Sequence, residues 1–238
     1  VPGLVATARR NLNRQQQRPR LFETGLRFLP QPGGGLAQRP TLALLIGGRA
    51  RPEGWSGGRD GVDFYDLKGD VESLFALSGR QDAPRFAAAE RPGLHPGQTA
   101  VVTRAGSEIG VLGALHPQTL DTLDIDQPLF VAEFDLEALC EAHVPRFRPV
   151  SRYPEIRRDL AVVVDRDVPA GAVLDNVRDA AGAYCEELTL FDVYVGKGVD
   201  PKRKSLALGL TFRDPSRTLN DDDVNRYVQQ VIDSLVKN

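Results

Sequence analysis

The sequence has little or none of several residue types on which particular kinds of site depend. Its 238 residues include no methionine, one tryptophan, three histidines and two cysteines. Cys140 and Cys185 form no Cys-x-x-Cys pair, which argues against a disulfide scaffold and against a thiolate zinc site. We expect both to be small buried residues of a protein in a reducing compartment. Since the first residue is Val1 and methionine is absent throughout, we expect the chain to be a piece of a longer protein.

A charge excess of one sign and a long apolar run are also missing. The 30 Lys and Arg residues nearly balance the 32 Asp and Glu residues, for a formal net charge of -2. This balance argues against a basic nucleic-acid tail and against an acidic disordered segment. No apolar run approaches the roughly 20 residues of a membrane span, and no signal peptide is recognisable. We therefore expect a cytoplasmic protein without a membrane partner, built as one large domain or two ordinary ones.

The first 142 residues have the pattern of an antiparallel α+β module. Apolar residues at helical spacing predict an amphipathic helix that Pro19 terminates, and we expect its apolar surface near residues 4–12 to be exposed. Strands then follow one another with few helices between them, which favours an antiparallel sheet over a doubly wound parallel one. The predicted strands cover residues 20–29, 41–46, 100–103, 109–115 and 129–134, and the predicted helices cover 63–77 and 135–142.

The last third of the chain predicts a second, smaller domain. Residues 143–159 contain three prolines and no periodicity, which predicts a linker. The predicted order after it is β-α-β-β-α, a ferredoxin-like order without its last strand, and Thr218 is the expected N-cap of the final helix. These elements cover residues 160–164, 169–181, 188–195, 205–212 and 219–236. The predicted domains are 1–147 and 148–238.

Alternation along the three strands of the second domain assigns one sheet face to the helices and leaves the other open. We place Phe191, Val193 and Val195 under the helices. The open set consists of Ala161, Val163, Asp192, Tyr194, Ser205, Ala207, Gly209 and Thr211. A tyrosine can stack on a nucleobase, a carboxylate can accept hydrogen bonds from a base edge, and small neighbours leave room for the base. The pattern therefore indicates a candidate RNA-binding face.

Basic residues near this face are candidates for phosphate contacts. We place four of them on the turn between the second and third strands and two before the first strand. They are Lys197, Lys202, Arg203, Lys204, Arg157 and Arg158. A solvated sheet face with a lysine-rich turn accounts for the same pattern, so RNA binding and a purely structural role both stay open at this point.

No group of residues in the sequence has the pattern of an active site. His95 and His116 each precede a proline and have no second ligand at metal spacing, so we interpret them as structural. The glycine-rich residues 54–61 lack the context of a phosphate-binding loop. We therefore predict no catalytic residue and no metal site in this chain.

Seven runs of the sequence resemble the β subunits of bacterial phenylalanyl-tRNA synthetases. They extend over essentially the whole chain in the family's order and are NLNRQQQRPRLFETGLRF (11–28), DFYDLKGDVESL (63–74), LHPGQTAVV (94–102), GVLGALHP (110–117), RYPEIRRDLAVVV (152–164), LFDVYVGKGV (190–199) and SRTLNDDDV (216–224). The resemblance implies that residues 1–147 are a non-catalytic, degenerate copy of the class II synthetase antiparallel-sheet core. It implies that residues 148–238 are a ferredoxin-fold anticodon-binding domain.

The resemblance also implies site residues, cofactors and partners. The family's anticodon-binding positions match Ala161, Asp192, Tyr194 and Ser205, all on the open face. It implies a phenylalanine–tRNA ligase of α2β2 composition that uses ATP and Mg²⁺, with the α subunit and tRNA-Phe as partners and no cofactor in this chain. Two other classes stay open: a regulatory module that binds an amino acid, and a scaffold whose sheet face contacts only protein.

Overall fold

All strand pairs in the part of the chain that the structure describes are antiparallel. The computed structural model describes residues 1–55, 58–80, 82–144, 147 and 151–237. The chain divides into two units, Val1–Arg146 and Phe147–Asn238. The predicted α+β class with antiparallel sheets is confirmed.

The first unit is built on a six-stranded sheet with the order β1-β2-β6-β5-β4-β3. Its strands are β1 (Arg20–Pro30), β2 (Leu36–Gly47), β3 (Arg85–Ala88), β4 (Leu94–Arg104), β5 (Ser107–Leu115) and β6 (Leu129–Asp135). Its helices are α1 (Pro2–Leu12), α2 (Phe64–Ala76), α3 (Pro117–Thr122) and α4 (Leu136–Cys140). The short elements β3 and α3 were not predicted from the sequence.

Helices pack on both faces of this sheet. Helix α2 buries Leu67, Val71 and Phe75 against one face, beside Phe130 and Phe134 of β6 and other apolar residues. The opposite face carries α1, whose residues Leu4, Val5 and Ala8 are buried against Ala43, Leu45, Leu115, Leu129 and Val131. The expectation that the apolar surface near residues 4–12 is exposed is therefore wrong, because the first unit itself covers the buried part of that surface.

Two further expectations about single residues can be compared with the structure. Nδ1 of His116 accepts a hydrogen bond from the Gln118 amide at 3.2 Å and caps α3, and Nδ1 of His95 accepts one from the Gly97 amide at 3.0 Å. Both histidines are structural, as predicted. The prediction that both cysteines are buried is wrong, since Cys140 is exposed and Cys185 is half-buried. Burial raises the pKa of the Cys185 thiol.

The second unit contains β7 (Ile156–Asp165), α5 (Ala170–Ala181), β8 (Cys185–Tyr194), β9 (Arg203–Phe212) and α6 (Asp221–Lys237). The sheet order is β7-β9-β8, and both helices pack on one face, which confirms the predicted ferredoxin-like arrangement. Strand β7 begins at Ile156, so the predicted linker is wrong at residues 156–159. Residues 145–146 and 148–150 of that linker lie outside the described residues. The predicted domain boundary between 147 and 148 therefore falls at the edge of the described chain.

The N-terminus of α6 is fixed by Asn220 rather than by the predicted Thr218. The Asn220 side-chain oxygen accepts a hydrogen bond from the Asp223 amide at 2.8 Å, which is an N-cap contact. The Asp223 carboxylate is buried and accepts hydrogen bonds from Arg217 and from Arg226, each at 2.6 Å. The Arg217 hydrogen bond is the main reason why the pKa of Asp223 lies below its usual range.

We predict that Gly110→Ala destabilises the first unit and that Gly69→Ala stabilises it. A Cβ at position 110 would lie 2.2 Å from Cδ1 of Phe134 and 2.5 Å from the Glu133 carbonyl oxygen, whereas one at position 69, inside α2, meets nothing within 4 Å. Gly110→Ala should lower the free energy of unfolding by roughly 1–3 kcal/mol, and Gly69→Ala should raise it by roughly 0.5–1 kcal/mol. Urea unfolding measures both, and unchanged stability of Gly110→Ala would contradict the packing described here.

We also predict that Asp223→Asn weakens α6 in a pH-dependent way. Because the folded-state pKa of Asp223 is lowered, its ionised form stabilises the fold fully above about pH 4, the unfolded pKa, and this contribution is lost as the pH falls through the folded pKa. The difference between wild type and variant should therefore be large at pH 7 and smaller at pH 3. Hydrogen exchange of α6 amides at both values measures it. The exposed neighbour Asp222→Asn is the control, and an equal effect there would contradict the assignment.

Candidate nucleic-acid interface

The helices of the second unit leave the other face of the three-stranded sheet uncovered. In β9, Leu206, Leu208 and Leu210 are fully buried toward the helices. Between them, Ala207 lies in register with Ala161 of β7 and Asp192 of β8, and Ser205 lies in register with Val163 and Tyr194. The structure therefore places all four candidate anticodon-binding residues on the open face.

The open set is smaller than the one predicted from alternation. Gly209 and Thr211 are buried, contrary to that prediction. The guanidinium of Arg157 covers Gly209, because a Cβ built there would lie 2.7 Å from Nη2 of Arg157. Thr211 lies in register between Arg157 and Glu187 of the flanking strands. The uncovered floor is thus the half of the sheet that is nearer the β8–β9 turn.

Tyr194 and Asp192 present different chemistry on this floor. Tyr194 is 45% exposed, and its hydroxyl donates a hydrogen bond to the Lys197 carbonyl at 3.1 Å. A Cβ at Gly196 would lie 2.7 Å from that hydroxyl, so one side of the ring is held against the turn. The Asp192 carboxylate is exposed and makes no hydrogen bond or ion pair to the residues that the structure describes. The face therefore offers a positioned aromatic ring and an available acceptor two residues apart.

A β-bulge in β8 determines which side chains reach this face. The register passes from Leu190 opposite Leu208 to Asp192 opposite Ala207, so Phe191 is the extra residue of the bulge. Leu190 packs against the helix-side core, and unbroken alternation from it would direct Asp192 and Tyr194 toward that core as well. The extra residue reverses the alternation, and both side chains emerge on the open face.

The prediction that Phe191, Val193 and Val195 lie buried under the helices is wrong. Phe191 is 50% exposed, and the guanidinium carbon of Arg157 lies 5.5 Å from the centroid of its ring. Arg157 stands on the open face, so Phe191 shares that face with it. Val193 lies in register with Leu206 and therefore on the helix side, as predicted, but Val193 and Val195 are about half exposed, and Leu188 and Leu190 contact the core in their place.

Of the six basic candidates, Arg157 and Arg203 stand on the open face, and Arg158 and Lys204 stand on the helix side of the sheet. Oδ1 of Asp159 accepts a hydrogen bond from Nε of Arg157 at 2.9 Å, and Oδ1 of Asp165 forms an ion pair with Nε of Arg203 at 3.3 Å. Arg158 instead forms an ion pair with Asp221 at the start of α6.

The remaining three candidates lie at or beside the β8–β9 turn. Nζ of Lys204 donates a hydrogen bond to the Arg166 carbonyl at 3.0 Å and stands on the helix side of the sheet. Lys197 and Lys202 are exposed residues of the turn. Arg203 and Lys204 belong to β9, so their predicted place on the turn is wrong.

Over the described residues, no three or more His, Cys, Asp or Glu side chains come close enough together to hold a metal ion. In the same part of the chain, no helix combines the length and apolar character that crossing a membrane requires.

Both units match known protein families. Residues 1–136 match the family described as "Phenylalanyl tRNA synthetase beta chain CLM domain", and residues 151–238 match the "Ferredoxin-fold anticodon binding domain". Together with the fold, these matches define a module of the aminoacyl-tRNA synthetase class. The chain belongs to the phenylalanyl-tRNA synthetase β-chain family, whose model covers more than half of it.

Curated relatives support the same family. The phenylalanine–tRNA ligase beta subunits of Pseudomonas fluorescens and Pseudomonas putida are each 53% identical to this chain over 234 residues, which is 98% of the chain. The beta subunit of Idiomarina loihiensis is 43% identical over 236 residues. The chain spans 29% to 30% of the length of these relatives.

Proposed function

We propose that this chain is the part of a phenylalanine–tRNA ligase β subunit that reads the tRNA-Phe anticodon and supports the catalytic α subunit. The holoenzyme would be an α2β2 assembly in the cytoplasm that converts ATP, phenylalanine and tRNA-Phe to Phe-tRNA-Phe, AMP and pyrophosphate. The observation that carries this proposal is the uncovered sheet face of a ferredoxin-fold domain, on which Asp192 and Tyr194 stand side by side.

The first unit has a structural role in this proposal. Its sheet has helices packed on both faces, and the buried Arg104 contacts Ser78 and Asp82. We propose that residues 1–147 are a non-catalytic copy of the class II core and that residues 148–238 form the anticodon-binding domain. ATP and Mg²⁺ would bind elsewhere in the holoenzyme, as the family resemblance implies.

The chemistry of the face suits a guanine, the base that the family resemblance implies at the first anticodon position. The Cα atoms of Asp192 and Tyr194 are about 6.5–7 Å apart on one strand, so a base stacked on the tyrosine ring can turn its edge toward the carboxylate. A guanine edge carries two adjacent N–H donors, and an ionised carboxylate has only acceptors. Ser205 and Ala161 form the small floor beside them.

We predict that Tyr194→Ala and Asp192→Asn weaken RNA binding in different ways. The tyrosine change should cost roughly 1–3 kcal/mol of binding free energy whatever the base, because a stacking surface is removed. The aspartate change should cost roughly 1–3 kcal/mol only with guanine, because an acceptor is replaced by a donor that faces a donor. Titration of the 238-residue chain with tRNA-Phe anticodon stem-loops that carry guanine or adenine at the first position measures both effects.

Lys202→Ala is the matched control in this experiment. Lys202 lies on the turn and has no base-reading geometry, so its loss should weaken both RNAs equally and flatten the dependence of binding on salt. Equal losses with guanine and adenine on Asp192→Asn would contradict the role of the carboxylate. A thermal shift with free phenylalanine and no response to RNA would favour the amino-acid-binding module instead.

A further inference from the structure

We propose that Arg157 and Phe191 form a second base-stacking platform on the open face, which holds a base of the anticodon loop next to the one at Tyr194. This inference rests on the proposed function of the face and adds a subsite to it. The two residues stand on the outer strands β7 and β8, and the arginine side chain reaches across the central strand β9 to the phenylalanine ring.

The platform exists because three local features coincide. The bulge turns Phe191 onto the open face. Gly209 of β9 leaves the space through which the arginine side chain crosses, and Asp159 accepts a hydrogen bond from Nε of Arg157 at 2.9 Å. The guanidinium is thereby hydrogen-bonded to a carboxylate, and its carbon lies 5.5 Å from the centroid of the Phe191 ring.

The guanidinium lies flat over the sheet, so that one of its faces forms a surface. A Cβ built at Gly209 would lie 2.7, 3.0 and 3.1 Å from Nη2, Cζ and Nε of Arg157. Since these three distances are similar, the plane lies across the Cβ direction, with one face against the sheet and the other toward solvent. The Arg157 side chain is 55% exposed, in agreement with an uncovered outer face.

A nucleobase is the ligand that this surface fits best. Guanidinium planes and aromatic rings both stack on bases, and an arginine backed by an aromatic ring provides a cation–π contact as well. A phosphate would instead use the edge N–H donors of the guanidinium, one of which already faces Asp159. Phe191 is three residues from Tyr194, or about 10 Å along the strand, so the two platforms hold different bases.

The decisive experiment compares Arg157→Lys with Arg157→Ala in the 238-residue chain. Lysine keeps the charge and loses the plane, so both variants should weaken stem-loop binding by about 5- to 150-fold if the plane stacks on a base. The titration is repeated with stem-loops in which one loop nucleotide at a time is abasic but keeps its phosphate. At one position, the abasic RNA should bind wild type and Arg157→Lys equally.

Gly209→Ala and Phe191→Leu test the supports of the platform. The three atoms nearest to the new methyl group at position 209 all belong to the end of the flexible Arg157 side chain, so it should displace the guanidinium and reproduce the loss seen with Arg157→Lys. Phe191→Leu keeps an apolar side chain but removes the ring, and it should cause a loss of the same kind. Gly171→Ala, which meets nothing within 4 Å in α5, is the control and should bind as wild type does. Arg157→Lys keeps the test valid if Gly209→Ala fails to fold.

Each remaining outcome overturns the platform in a recognisable way. Wild-type affinity for Arg157→Lys, with a loss and a flatter salt dependence for Arg157→Ala, would show a phosphate contact instead of stacking. Wild-type affinity for all Arg157 and Phe191 variants, with a loss for Tyr194→Ala, would refute the second platform and leave the proposed function intact. No binding of any stem-loop by the wild-type chain would refute both.

Discussion

The burial of one side of β9 is the constraint on which the second unit depends. Leu206, Leu208 and Leu210 are fully buried against α5 and α6, and strand geometry then commits the residues between them to the opposite side. Since α5 and α6 pack on the same face, no helix in the described part of this unit covers those residues. The open face is therefore a direct consequence of how the hydrophobic core is made.

The bulge at Phe191 reconciles this core with the chemistry of the open face. Strand β8 must direct Leu190 into the core and, only two residues later, direct Asp192 away from it, which an unbroken strand cannot do. One extra residue changes the phase of the alternation. The same residue brings an aromatic ring onto the open face, where Arg157 meets it. A single local irregularity thus places three of the side chains with which the face would bind a ligand.

Sequence periodicity predicted the long elements, because apolar spacing follows directly from burial. It also placed Asp192 and Tyr194 on the correct face, although Phe191, which it placed opposite them, lies on that face as well. It failed where tertiary contacts decide the structure. The start of β7 carries Arg157, Arg158 and Asp159, which resemble linker residues until their partners are known; Arg158, for example, pairs with Asp221 of α6. The face of Phe191 was predicted wrongly because nothing in the alternation of residue types indicates a bulge. For the Arg157 contact, Gly209 was the available signal, since a glycine inside a central strand often indicates close approach by another group.

Local charge balance indicates how this face would discriminate between ligands. The chain has a formal net charge of -2, and on the open face Arg157 and Arg203 are each paired with an aspartate. These two arginines therefore attract phosphates only weakly at long range, because the carboxylate of each pair cancels most of the arginine's field and salt screens the remainder beyond about 8–10 Å. On the sheet face itself, affinity must then come mainly from short-range contacts such as stacking on flat groups and hydrogen bonds to base edges. Such contacts depend on base identity and geometry far more than phosphate attraction does, which is what the proposed reading of an anticodon would require.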